Sequence, residues 1–109
     1  MERFERLAAR HAEWSQATFG ADNERDYTGP LNHLEKEIGE IRLAPADGSE
    51  WADAFLLLLD AARRAGFSAT DLLQEAEDKL VINIKRKWQE PNEDGSVEHV
   101  RNEEKSDAI

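Results

Sequence analysis

The chain has 109 residues, 24 acidic and 14 basic side chains, and a formal net charge of −10. This balance disfavours a nucleic-acid polymer as partner, because a phosphate backbone would meet net repulsion. With no cysteine, disulfides, thiolate chemistry, zinc–thiolate centres and iron–sulfur clusters are excluded. A length near 100 residues suits one small domain with a modest core. The charged start, Met1-Glu2-Arg3-Phe4-Glu5-Arg6, lacks the apolar stretch of a signal peptide. The longest apolar run, residues 54–59, is far shorter than the ~20 residues of a membrane span. The expectation is a cytoplasmic protein with no membrane partner.

Helical periodicity runs through most of the chain, and strand-like alternation is not sustained. About residues 1–18 place Phe4, Leu7, His11, Trp14 and Thr18 on one stripe of an amphipathic helix, which Gly20 ends. Residues 21–30 are polar and close on Thr28-Gly29-Pro30, which reads as a loop. A second helix over about 31–43 carries Leu31, Leu34, Ile38 and Ile41, and Pro45-Ala46-Asp47-Gly48 turns the chain. A third, about 49–65, has Trp51, Ala54, Phe55, Leu58 and Ala62 on one stripe. Leu56, Leu57 and Leu59 widen it, as expected of a helix covered by neighbours and a second subunit. Asp47 or Ser49 can cap its start. Ser68-Ala69-Thr70-Asp71 has capping-box spacing and opens a fourth helix to about Gln89, with Leu73, Ala76, Leu80, Ile84 and Trp88 along one side. Pro91 stops it. The expected architecture is an all-α, antiparallel four-helix bundle over residues 1–90. A charged segment, 91–109, follows; it is either mobile or packed on a partner, with Asp94-Gly95-Ser96-Val97 as a turn.

Helical wheels divide the excess acid. His33, Glu37 and Glu40 share a strip beside the apolar stripe of the second helix, and Glu50, Asp53, Leu57 and Asp60 share one on the third. The short connection makes these helices antiparallel, so Glu37/Glu40 and Glu50/Asp53 can face one another. Four converging carboxylates repel, and hard cations such as Mg²⁺ or Mn²⁺ relieve that repulsion. The competing reading is a solvated acidic face, with Glu50 a first-turn acid favoured by the helix dipole. On the fourth helix Lys79, Asn83, Arg86 and Lys87 form the densest basic strip. They suit either phosphate oxygens or the negative end of the helix dipole.

These residues resemble a known family. Glu37-x-x-Glu40 followed by Glu50-x-x-Asp53 is similar to the MazG-like all-α nucleoside triphosphate pyrophosphatases. Trp14-Ser15-Gln16-Ala17-Thr18-Phe19-Gly20, Gly29-Pro30-Leu31-Asn32-His33-Leu34-Glu35-Lys36-Glu37, Glu50-Trp51-Ala52-Asp53-Ala54, Asn83…Arg86-Lys87-Trp88 and Asp94-Gly95-Ser96-Val97-Glu98-His99 resemble its dATP/dGTP pyrophosphohydrolase branch, known from phages and bacteria. The resemblance covers about residues 4–101. One departure is the spacing: nine residues lie between Glu40 and Glu50, fewer than in many members.

The resemblance implies a MazG-type fold assembled as a dimer or dimer of dimers. It also implies cleavage of a purine dNTP (dGTP, dATP or also GTP) between the α- and β-phosphates, giving dNMP and pyrophosphate. It matches Glu37, Glu40, Glu50 and Asp53 to ligands of Mg²⁺, for which Mn²⁺ can substitute. Glu40 and Glu37 become the catalytic carboxylates, with Glu40 chosen to take the proton of the attacking water. Lys79, Asn83 and Arg86 match the phosphate-contacting end of the last helix. For the base, Trp14 and Phe19 are candidates to stack, and His33 or Asn32 to hydrogen-bond its edge. The alternatives are the same chemistry on a pyrimidine or modified dNTP, or a non-catalytic helical oligomerisation or regulatory module.

Overall fold

A computed structural model describes residues 2–101. Four helices occupy most of them: α1 (Arg3–Phe19), α2 (Thr28–Leu43), α3 (Gly48–Arg64) and α4 (Ala69–Lys85). The all-α expectation holds, and no strand is present among the described residues. Among the described residues, no helix is long and apolar enough to cross a membrane. The chain divides into two units, residues 1–72 and 73–109.

In the first unit several helix boundaries have a local cause. Gly20 ends α1 with φ +106°, a region that L side chains rarely adopt. α2 begins at Thr28, three residues earlier than the loop reading of Thr28-Gly29-Pro30 suggests. The first helical N–H groups have no intrahelical acceptor, so Pro30 loses nothing there, and Asp26 accepts the Thr28 amide at 2.8 Å. Asp47, one of the two expected caps, accepts the Ser49 amide at 3.0 Å and starts α3. The Trp51 indole donates to the Pro45 carbonyl at 3.0 Å and braces the same turn. Ser68 and Asp71 form the expected capping box, each accepting the other's amide, at 3.0 and 3.1 Å.

α2 and α3 pack together most extensively, and α1 lies on α3. Phe4 meets Phe55 with ring centroids 6.2 Å apart. The buried set is unusual: His11 and Ser15 from α1, Glu37 from α2, and Leu59, Asp60 and Ala61 from α3. The inward line of α1 is thus rotated from the expected stripe. Leu7 and Trp14 are exposed, while Ser15 is fully enclosed. Leu59 and Ala61 are the buried apolar residues among those described. Among the described residues, Leu31 and Ile38 on α2 and Phe55 and Leu58 on α3 leave apolar surface exposed.

In the second unit α4 stops at Lys85 rather than near Gln89. Trp88, placed by periodicity on its apolar stripe, instead makes an antiparallel bridge with His99. Amides of Gln89 and Val100 donate to the carbonyls of Glu98 and Lys87 at 2.8 and 2.7 Å. The predicted turn at residues 94–97 allows this return. Asp94 accepts from both the amide and the hydroxyl of Ser96, and Gly95 takes φ +87°. Hydrogen bonds between residues 87–89 and 98–100 and the Trp88–His99 ring contact take the place of helical continuation here. Residues 91–101 are therefore folded; residues 102–109 of the expected charged segment lie outside those described.

Candidate functional site

The short α2–α3 turn brings acids from both helices to one place. One carboxylate oxygen from each of Glu37, Glu40 and Glu50 lies within 4.8 Å of the other two. Glu37 is buried at 4% exposure, Glu50 is half-buried and Glu40 is exposed. The side chain from α2 that faces α3 is thus a carboxylate, one position off the apolar stripe. Glu37 Oε1 and Glu50 Oε2 are enclosed and have no hydrogen-bond partner. The neighbouring Glu50 carboxyl, then burial, then Glu40 push the Glu37 carboxyl from its ordinary 4.5 up to about 8. Three clustered carboxylates with orphaned oxygens suit a hard divalent cation, which takes oxygen ligands and offsets the repulsion.

Asp53, the fourth expected ligand, stands outside this trio. It is exposed, one turn along α3 from Glu50, and it lines a cavity of about 340 Å³. Trp14, Phe19 and His33 line the same cavity, as do His11, Asp60 and Arg64. Trp14 and Phe19 meet edge to face with centroids 5.4 Å apart, and His11 stacks on Trp14 at 6.0 Å. The cavity explains why Trp14, 56% exposed, is not a core residue despite its place on the apolar stripe. Asn32 is exposed and is not part of the wall.

The basic candidates belong to the second unit. Lys79 is exposed on α4; Asn83 lies in its last turn, with Arg86 just beyond. Arg86 donates to the Asn83 side-chain carbonyl at 3.2 Å, and the Trp88 indole donates to the Asn83 backbone carbonyl at 3.0 Å. Asn83 and Arg86 are thus joined, as their shared strip implied.

A second polar cluster, which sequence reasoning missed, sits between α1 and α3. The Ser15 hydroxyl donates to Asp60 at 2.8 Å. Arg63 and Arg64 both pair with the same carboxylate. Arg64 also donates to Ser15 Oγ at 3.1 Å, and Arg63 reaches Asp22 at 3.0 Å. Burial alone would raise the Asp60 carboxyl. The Ser15 hydroxyl and the two guanidinium groups outweigh it and hold Asp60 below its ordinary value. The available signal was Asp60-x-x-Arg63-Arg64, an acid three and four residues before two cations on one helix. Burial similarly lowers the His11 imidazole, although Asp60 works against that shift.

The profile of the dATP/dGTP pyrophosphohydrolase family matches residues 7–107. The chain belongs to this family. It is 41% identical over 105 residues to the Eaa protein of Salmonella phage P22, covering 94% of this chain and 31% of that protein. It is 34% identical over 97 residues to a dATP/dGTP diphosphohydrolase of Salmonella phage PMBT28, covering 88% of this chain and 31% of that protein. The chain therefore spans about a third of the length of these phage relatives. Among solved structures, it resembles a cyanophage S-2L MazG-like pyrophosphohydrolase bound to dGDP and three catalytic Mn²⁺ ions per active site. The TM-score is 0.74 and the identity 29%, over 92% of this chain and 99% of that one. The family and MazG-like fold expected from the acidic pairs are thereby established, and in that neighbour the metal is manganese.

Proposed function

We propose that this chain is a divalent-metal-dependent nucleoside triphosphate pyrophosphohydrolase. It acts on dGTP or dATP, and also on GTP, and cleaves between the α- and β-phosphates. The single observation that carries the reading is the Glu37–Glu40–Glu50 cluster with its orphaned oxygens, in a member of this family. Glu37, Glu40 and Glu50, with Asp53 one turn away, would hold Mg²⁺ or Mn²⁺. Such ions supply charge neutralisation for a triphosphate and acidify bound water.

The chain's own residues do the rest. Glu40, the exposed member of the trio, accepts the proton of the water that attacks the α-phosphorus. The bond from that phosphorus to the bridging oxygen breaks, and pyrophosphate leaves. Glu37 supports this carboxylate and shapes its field. Trp14 and Phe19 offer faces for a purine, His33 a hydrogen bond to its edge, and the cavity they line has the size of a small-ligand site. Lys79, Asn83 and Arg86 contribute positive charge and donors for the leaving phosphates.

The protein acts as a homodimer or homotetramer in the cytoplasm, where dNTP pools lie. Self-association is supported by Leu31, Ile38, Phe55 and Leu58, which are apolar and exposed in the single chain. Pure protein incubated with dGTP or dATP and Mg²⁺ or Mn²⁺ is expected to release pyrophosphate and dNMP in equal amounts. Release of single phosphates, or no turnover with any dNTP, overturns the proposal.

A further inference from the structure

We propose that Asp60 and Arg64 are positioning residues for nucleotide binding, acting by fastening the α1–α2 connection that walls the aromatic cavity. This inference rests on the functional reading above, which assigns that cavity to the base.

The connection, residues 20–27, has little regular structure of its own, yet it is tied to the end of α3 at two points. Arg63 Nε donates to both oxygens of Asp22, at 3.0 and 3.2 Å. Arg64 donates from one end of its guanidinium to the Arg25 carbonyl at 3.3 Å, and from the other to Ser15 Oγ at 3.1 Å. The Arg64 side chain is only 1% exposed. Asp60 lies beneath both arginines and pairs with each, so one buried carboxylate sets the direction of both.

The tie continues into the cavity wall. Arg25, whose carbonyl Arg64 holds, donates to the Phe19 carbonyl at 3.0 Å and lies over the Phe19 ring, 5.6 Å from its centroid. Phe19 meets Trp14 edge to face. A chain of contacts therefore runs from Asp60 through Arg64 and Arg25 to the two aromatic faces. Buried ion pairs contribute little net stability against apolar replacements. What such a pair does supply here is direction: a planar fork can span two acceptors that a lysine cannot reach together.

The test compares the parent protein with Asp60→Asn, Arg64→Lys and Ser15→Ala. Three readouts are used: steady-state turnover of dGTP with Mn²⁺, Mn²⁺ binding without nucleotide followed by electron paramagnetic resonance, and amide hydrogen exchange. Loss of a charge-assisted contact is expected to raise KM about tenfold, with kcat changed by less than about twofold and Mn²⁺ affinity unaltered. Amides of residues 20–27 exchange faster in Asp60→Asn and Arg64→Lys, while those of the α2–α3 turn do not. Should Asp60→Asn fail to fold, Arg64→Lys carries the test, because Arg64 itself holds the Arg25 carbonyl. An unchanged KM, a loss confined to kcat, or unaltered exchange in residues 20–27 overturns the positioning role. A parent protein that turns over no dNTP overturns the functional reading instead, and the KM claim with it, while hydrogen exchange still decides whether the connection is fastened.

Discussion

Two clusters of carboxylates meet α3, and they are opposites. Near its start, Glu50 joins Glu37 and Glu40, and two of the enclosed oxygens have no hydrogen-bond partner among the described residues. Near its end, Asp60 is equally enclosed but holds a serine hydroxyl and two guanidinium groups. The consequence appears in proton affinity. Glu37 is pushed up to about 8, whereas Asp60 is held below its ordinary value. A carboxylate cluster matched by its own chain is part of the framework. One left unmatched has the chemistry to suit a cation from outside, which is the role proposed above for the trio.

The contrast can be broken most sharply at Glu40. Replacement with Gln keeps the shape and removes the charge and the proton acceptor. Turnover of dGTP should fall by roughly 10²–10⁴-fold, measured as pyrophosphate release at saturating Mn²⁺. Full activity in Glu40→Gln would remove the site assignment.

Acidity should separate the two clusters next. The Glu37 carboxyl is held near 8 in the folded chain and returns to its ordinary 4.5 on unfolding, so the folded state binds the extra proton. Its stabilising contribution is complete below pH 4.5 and is lost as pH rises toward 8. In EDTA, thermal melts should therefore show a decline across that window. Mn²⁺ should reverse it, because a ligand bound only by the folded state raises the melting temperature. Asp60 has the opposite sign. Its contribution is present above 3.8 and is lost as pH falls through its lower folded-state value. Glu37→Gln should flatten the neutral limb alone. A decline that persists in Glu37→Gln would move its origin elsewhere.

The smallest effect is expected at Ser15. Its hydroxyl is enclosed between Asp60 and Arg64, and Ser15→Ala should cost about 2 kcal/mol of stability in urea denaturation. Mn²⁺ affinity should not move. A parallel loss of metal binding would show that the two clusters on α3 are one coupled system.

Much of the fold was legible from spacing and punctuation. Gly20, the Asp47 cap and the Ser68/Asp71 box each act through neighbours in the chain, and each stands where the sequence implied. The acidic trio was legible for the same reason, since a short turn must return α3 along α2. The end of α4 was not, because Trp88 is drawn off the helix by a partner eleven positions away. Trp14 carried two readings, core aromatic and base-stacking candidate, and its period could not choose between them; the structure puts it in the wall of a cavity. Asp53 shares its strip with Glu50, yet a full turn of helix separates their side chains, and only Glu50 enters the trio.

The sequence by itself determined that four helices form and where several of their caps lie, which follows from residue type and local period; the family followed from the resemblance of whole motifs. Tertiary structure alone decided which acids are satisfied. Whether a carboxylate meets a guanidinium or another carboxylate depends on the rotation of one helix against the next. On α1 a shift from the expected stripe brought Ser15 inward to Asp60. On α2 the inward position fell to Glu37. Burial magnifies both encounters, because a charge taken out of water must find its partner nearby or change its protonation.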